Sequence, residues 1–213
     1  MKKNIELIMF DLDGTLIDSM KDIANAGNFT LENFGLAKKS IQEIISYVGE
    51  GREYLVKKLL GDNQIFLNEA ISVFGEYYRK HFSDNSVLYP NVKEILEYFK
   101  DKKKAVVSNK NRAEVISNLK SLGIYDYFEN IIGGDEVEYR KPFPFHLCKT
   151  MQKLHINKEK SIMVGDMDID ILAGKNAGIL TCAVTYGVSK KEDIIRAEPD
   201  FIIDDIGKLR DII

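Results

Sequence analysis

Short apolar runs return along this chain at intervals filled by helix-length stretches, and that alternation limits the fold more than any other feature. The runs are Leu7–Phe10, Ala105–Ser108, Asn130–Ile132, Ser161–Val164, Thr181–Val184 and Phe201–Ile203. Helical stretches fill Arg112–Leu122, Phe145–Leu154 and Asp168–Ala177 between them. Strands alternating with helices predict an α/β fold with a mostly parallel sheet covered on both faces and right-handed crossovers. A strand buried on both faces reads as an unbroken hydrophobic run, and Leu7-Ile8-Met9-Phe10 is one.

One connection is far longer than a crossover needs. Between Asp18 and about Asn85 only helical patterns occur: Ile23…Phe34, Ile41…Val48, Tyr54…Leu60 and Ile65…Phe82. The expectation is a core of residues 1–16 and 86–213 with an inserted all-α cap at 17–85. Its hinges fall near Ile17–Ser19 and Asn85–Pro90.

Composition narrows the partners. With 213 residues the chain can bury a sizeable core. A net charge of −3 and no extended basic tract argue against nucleic acid. Lys102-Lys103-Lys104 is expected to be a solvated turn. The apolar run after Met1-Lys2-Lys3-Asn4 is too short, and too broken by acids, for a signal peptide or a membrane span. Two cysteines, Cys148 and Cys182, make no disulfide framework, so a reducing, cytoplasmic setting is expected. A small molecule is the expected partner, with a monomer or homodimer as the assembly.

The strand ends carry the chemistry. Leu7–Phe10 runs into Asp11-Leu12-Asp13-Gly14-Thr15, and open α/β sheets bind ligands at the carboxyl ends of their strands. Two carboxylates with a turn behind them suit metal binding, nucleophilic attack and proton transfer. The next strand ends in Ser108-Asn109-Lys110, a hydroxyl and free N–H groups at a helix start, which suit a phosphate. Lys141-Pro142 follows the third strand, and Gly165-Asp166 with Asp170 closes the fourth. Taken singly, each reads as a cap or a surface charge. Nucleophile, hydroxyl, lysine and acid in that order are not explained so simply.

In these four segments the chain resembles the haloacid dehalogenase superfamily of phosphotransferases. An α-helical cap inserted just after the first motif is similar to that superfamily's first cap class, on a Rossmann-like core. Asp13 tells against dehalogenation, because that branch lacks the second aspartate. Further segments resemble the phosphoglycolate phosphatase subgroup: Val48-Gly49-Glu50-Gly51, Leu60-Gly61, Tyr89-Pro90-Asn91-Val92, Ser108-Asn109-Lys110, Val184-Thr185-Tyr186-Gly187 and Glu198-Pro199-Asp200. Asn111 departs from a common proline and Met167 from a common serine. The resemblance implies a Mg²⁺-dependent phosphatase acting on a small phosphorylated metabolite through an aspartyl phosphate. Alternatives within the superfamily are a phosphosugar mutase, a pyrophosphatase and a nucleotidase.

On that resemblance Asp11 is the nucleophile and Asp13 the general acid and base. Asp11, Asp166 and the Asp13 carbonyl would bind Mg²⁺, with Asp170 orienting its neighbours. Ser108, Asn109 and Lys141 would hold the phosphoryl oxygens, beside Gly14 and Thr15. Arg52, next to Gly49 and Gly51 in a loop between cap helices, is the candidate for a substrate carboxylate, set against a solvated helix-start arginine. His81, His146 and His155 lack metal-ligand spacing and are expected at the surface or as caps. The cap's aromatic residues are expected to form its own small core.

Overall fold

The structure, a computed structural model, describes residues 2–213. The chain forms two compact units, one from the residues up to Asp18 with Leu88–Ile213 and one from Ser19–Val87. Both ends of the second unit lie two residues further along the chain than the 17–85 span read from the sequence.

In chain order the first unit opens with β1 (Leu7–Phe10) and β2 (Ile17–Asp18). The second unit holds α1 (Met20–Asn33), α2 (Ile41–Ile45), α3 (Arg52–Leu60) and α4 (Leu67–His81). Then come β3 (Val87–Leu88), α5 (Val92–Tyr98), β4 (Lys103–Val107), α6 (Arg112–Ser121) and β5 (Asn130–Ile132). The chain ends with α7 (Phe145–Leu154), β6 (Ser161–Gly165), α8 (Asp168–Ala177), β7 (Leu180–Val184), α9 (Lys191–Arg196), β8 (Phe201–Ile203) and α10 (Leu209–Ile212).

Six of the strands make one sheet in the order β5-β4-β1-β6-β7-β8, every neighbouring pair parallel. β2 and β3 form a separate two-stranded ribbon. All four residues of β1 are fully buried, and its period of two divides them between two cores. Ile8 and Phe10 join Val106, Val164, Val92, Ile95 and Leu119 on one face. Leu7 and Met9 join Val107, Met163, Leu147 and Ala173 on the other. Each such side chain contributes about 1.5–3 kcal/mol of burial free energy, so a polar residue within β1 has no face on which to hide.

From β1 the chain builds outward through β4 to β5, then returns to lay β6 on the opposite side of β1. The strand order therefore reverses at β1, and a crevice opens at the carboxyl ends there. Asp11, Ser108 and Asp166 each follow directly on a strand that meets at this edge.

Lys104 corrects the solvated-turn reading, whereas Lys103 beside it is exposed. They open β4, and Lys104 is buried, its ammonium donating to the carbonyls of Phe99 at 2.7 Å and Lys102 at 2.9 Å. Carbonyls at the end of α5 give the charge the partners that solvent would otherwise supply.

The inserted unit has a core of its own, with Ala24, Leu31, Ile44, Val56, Leu59, Ala70, Phe74 and Tyr78 buried. Its two ends are tied by the buried Asp22 carboxylate. That group accepts from the Asn85 amide at 2.7 Å, the Ser86 N–H at 2.9 Å and the Ser86 hydroxyl at 2.7 Å. No described helix is long and apolar enough to cross a membrane.

Candidate active site

Past the end of β1 the Asp11 N–H still donates to the Val164 carbonyl at 2.9 Å, so the sheet fixes the backbone that carries this carboxylate. Lys141 reaches it from the long segment after β5. Its ammonium donates to Asp11 Oδ1 at 2.8 Å, Asp170 Oδ1 at 2.6 Å and the Val107 carbonyl at 3.0 Å. The Lys141 side chain is 1% exposed. The lysine is placed by Asn109, whose side-chain amide donates to the Lys141 carbonyl at 3.1 Å while its oxygen accepts the Lys141 N–H at 2.9 Å. Asn109 thus clamps the loop after β4 to the loop that delivers the lysine.

Asp166, at the end of β6, is fully buried. Its Oδ1 accepts the Thr15 hydroxyl and its Oδ2 the Val188 N–H, both at 2.8 Å. Thr15 is fully buried too, and its hydroxyl is engaged with Asp166. Two glycines leave room for this carboxylate. Gly14 has φ +93°, and a Cβ there or on Gly187 would collide with the Asp166 side chain. Asp170 closes the group from the first turn of α8, its Oδ2 accepting the Met167 N–H at 3.0 Å. Met167 has no hydroxyl to return the bond, so only the reach-back half of a capping box forms.

Carboxylate oxygens of Asp11, Asp166 and Asp170 all lie within 4.8 Å of one another, and all three residues are buried. Burial pushes the Asp11 carboxyl up to about 6, with Lys141 pulling it down and Asp170 pushing it up. Burial also raises Asp166 well above the usual carboxylate range, and the Asp170 and Asp11 charges add to it. For Lys141 burial opposes the charge, but Asp11 and Asp170 outweigh it and hold the ammonium above its ordinary value. Three acids around one cation leave a deficit of positive charge in a pocket of hard oxygen donors. Those are the terms on which a divalent cation such as Mg²⁺ fits.

Asp13 stands apart from this cluster, its Oδ1 accepting from Lys110 Nζ at 2.7 Å. Ser108 is buried, with its oxygen accepting the Lys110 N–H at 3.3 Å. His146 departs from the surface reading: it lies in the first turn of α7, fully buried. Burial, then the Lys141 charge, push its pKa down to about 3, so the ring is neutral. His81 is exposed beside Asp84 at 2.8 Å, and His155 ends α7 in a left-handed conformation. Within the inserted unit, Arg52 is the first residue of α3 rather than part of a loop. Its half-buried guanidinium lies over Gly75 of α4, where a Cβ would stand 2.5 Å from Nη1. The sequence reading gave no role to Lys110, Gly187 or Val188. Each lies inside or beside a motif segment of the sequence, but only the packed loops reveal what it touches.

Buried carboxylates and a lysine at the switch point of a parallel sheet, with a buried serine hydroxyl beside them, define an enzyme of the Rossmann-like α/β class with a site suited to a metal ion and a phosphate. The family model for haloacid dehalogenase-like hydrolase matches residues 8–184. A phosphoglycolate phosphatase of Vibrio cholerae is 37% identical over 99% of this chain and 98% of its own length. One from Aquifex aeolicus is 40% identical over 97% of each chain. The solved structure of a predicted phosphoglycolate phosphatase from Haemophilus somnus superposes with a TM-score of 0.93. It is 31% identical and covers 99% of this chain and 98% of that one. The chain belongs to the haloacid dehalogenase-like hydrolase family, and it is a phosphoric monoester hydrolase. Phosphatases of this superfamily generally use Mg²⁺.

Proposed function

We propose that the chain hydrolyses phosphoglycolate with Mg²⁺ through an aspartyl phosphate on Asp11. The observation that carries the chemistry is the Asp11 carboxylate held by Lys141 at 2.8 Å inside the three-acid cluster. The substrate follows from the names of the relatives and from the subgroup segments. A reaction on a small phosphorylated metabolite fits the cytoplasm, where such metabolites are kept.

Asp11 and Asp166, with the backbone carbonyl of Asp13, would hold the metal. Bound there, Mg²⁺ supplies the positive charge that lets two anions approach each other. An Asp11 oxygen attacks phosphorus as the bond to the ester oxygen breaks, and Asp13 gives that oxygen its proton. Asp13, now ionised, takes a proton from water as the water oxygen attacks phosphorus and Asp11 leaves. Ser108, the Asn109 N–H and Lys141 stabilise the phosphoryl oxygens during both transfers. Asp170 holds Lys141 in place from the far side.

The decisive assay measures phosphate release with Mg²⁺ from phosphoglycolate, pyrophosphate, nucleoside monophosphates and hexose phosphates. Phosphoglycolate should give the highest kcat/KM. A hexose phosphate consumed without free phosphate would instead indicate a mutase. Asp13→Asn should slow turnover of phosphoglycolate by about 10²–10⁴-fold, the usual worth of general acid–base help. Wild-type speed in that variant on an alkyl ester would move the role to another residue.

Arg52 is the residue proposed to read the substrate carboxylate. Arg52→Ala should raise KM for phosphoglycolate by about 10–100-fold, if a charge-assisted hydrogen bond of roughly 1.5–3 kcal/mol is lost. Hydrolysis of an aryl phosphate should change little. Equal loss on both substrates would assign Arg52 to the packing of α3 on α4 through Gly75.

A further inference from the structure

We propose that Lys110 is the positioning residue for Asp13, holding its carboxylate in the orientation from which it moves protons. This rests on the proposed role of Asp13 and gives that role a structural cause. Lys110 Nζ donates to Asp13 Oδ1 at 2.7 Å and to the Asn118 side-chain oxygen at 3.3 Å. Asn118 sits on α6 and is fully buried. The side chains of Lys110 and Asp13 are only 9% and 12% exposed.

An exposed lysine–carboxylate pair contributes little, because two long side chains must be ordered in water. This pair differs on both counts. It lies away from screening solvent, and the lysine is fixed along its length. The Lys110 N–H donates to the Ser108 hydroxyl at 3.3 Å, and its carbonyl accepts the Gly134 N–H at 2.9 Å. Asn118 anchors the far end. On the other side, Asp13 has its backbone bridged to Ile17, and the next residue, Gly14, donates to the Ile17 carbonyl at 2.9 Å. With both backbones set, the ammonium fixes which way the Asp13 carboxylate points. A proton-transfer group must be held within hydrogen-bond reach of its target, and preorganisation of this kind is lost when the supporting contact is removed.

The test compares Lys110→Met, Lys110→Arg and Asp13→Asn with the wild type in Mg²⁺. The substrates are phosphoglycolate, whose alkoxide needs a proton to leave, and 4-nitrophenyl phosphate, whose phenolate does not. Acid-quenched samples are assayed for phosphoenzyme. Lys110→Met should lower kcat on phosphoglycolate by about 10–100-fold, a fraction of the general acid–base range, with KM within about threefold of wild type. On the aryl ester, nitrophenolate should appear in a burst, and phosphoenzyme should persist, because Asp13 is also needed to activate water. Asp13→Asn should show the same pattern more strongly. Lys110→Arg should recover most of the loss and keeps the test open if the Met variant folds poorly. A raised KM on both esters with kcat retained would make Lys110 a substrate ligand and overturn the proposal. Wild-type kinetics in Lys110→Met beside a crippled Asp13→Asn would overturn it alone. Wild-type kinetics in Asp13→Asn would overturn the reading beneath it as well.

Discussion

Asp11→Asn should abolish turnover, by at least about 10⁴-fold, while folding as the wild type does. An amide has nearly the size of a carboxylate but is a poor nucleophile, and removing the attacking group is among the costliest changes an enzyme can suffer. The fold should survive because Lys141 keeps Asp170 at 2.6 Å and the Val107 carbonyl at 3.0 Å, so its buried charge is not stranded. Burial raises Asp11 to about 6, which means the folded state disfavours its ionised form relative to the unfolded chain. That cost sets in above the ordinary carboxylate pKa and is complete once the pH passes about 6, so the amide should melt no lower than wild type in chelator at pH 7. Circular dichroism melts and a phosphate-release assay read both halves. Activity within tenfold of wild type would move the nucleophile elsewhere.

Metal removal should have an effect of the same order. A chelator should stop turnover, Mg²⁺ should restore it, and Ca²⁺ should inhibit. Ca²⁺ accepts about six to eight oxygens at longer distances and can engage both oxygens of Asp11, leaving none to attack. Mg²⁺ should also raise the melting temperature of the chelated protein, since binding to the folded state alone stabilises it. The source of that gain is the crowding of Asp11, Asp166 and Asp170 around one lysine. The melt makes this readable without any substrate. Full activity in excess chelator, or equal activity in Ca²⁺, would contradict a Mg²⁺ site at these residues.

Much of the architecture was open to reading from residue order. Leu7–Phe10, Asn130–Ile132 and Phe201–Ile203 are strands with the bounds read from the sequence, and Phe145–Leu154 and Asp168–Ala177 are helices with theirs. Apolar runs of strand length and amphipathic stretches of helix length are local properties, and a sheet covered on both faces makes them stand out. The acids at the ends of β1 and β6 were visible for the same reason. A charge directly after a buried run has to emerge at the sheet's edge.

What the sequence determined by itself was the alternation of strands and helices, the inserted helical unit and the residue types waiting at each strand end. Only the tertiary structure decided their partners. Lys104 looked solvated until the end of α5 offered it carbonyls, and His146 looked peripheral until α7 packed its first turn inward. Lys110 meets Asp13 across 97 residues and Lys141 meets Asp11 across 130. Period and propensity describe neighbours along the chain, whereas ion pairs, burial and pKa shifts belong to neighbours in space. The parallel sheet sets those spatial neighbours by laying β4 and β6 on either side of β1.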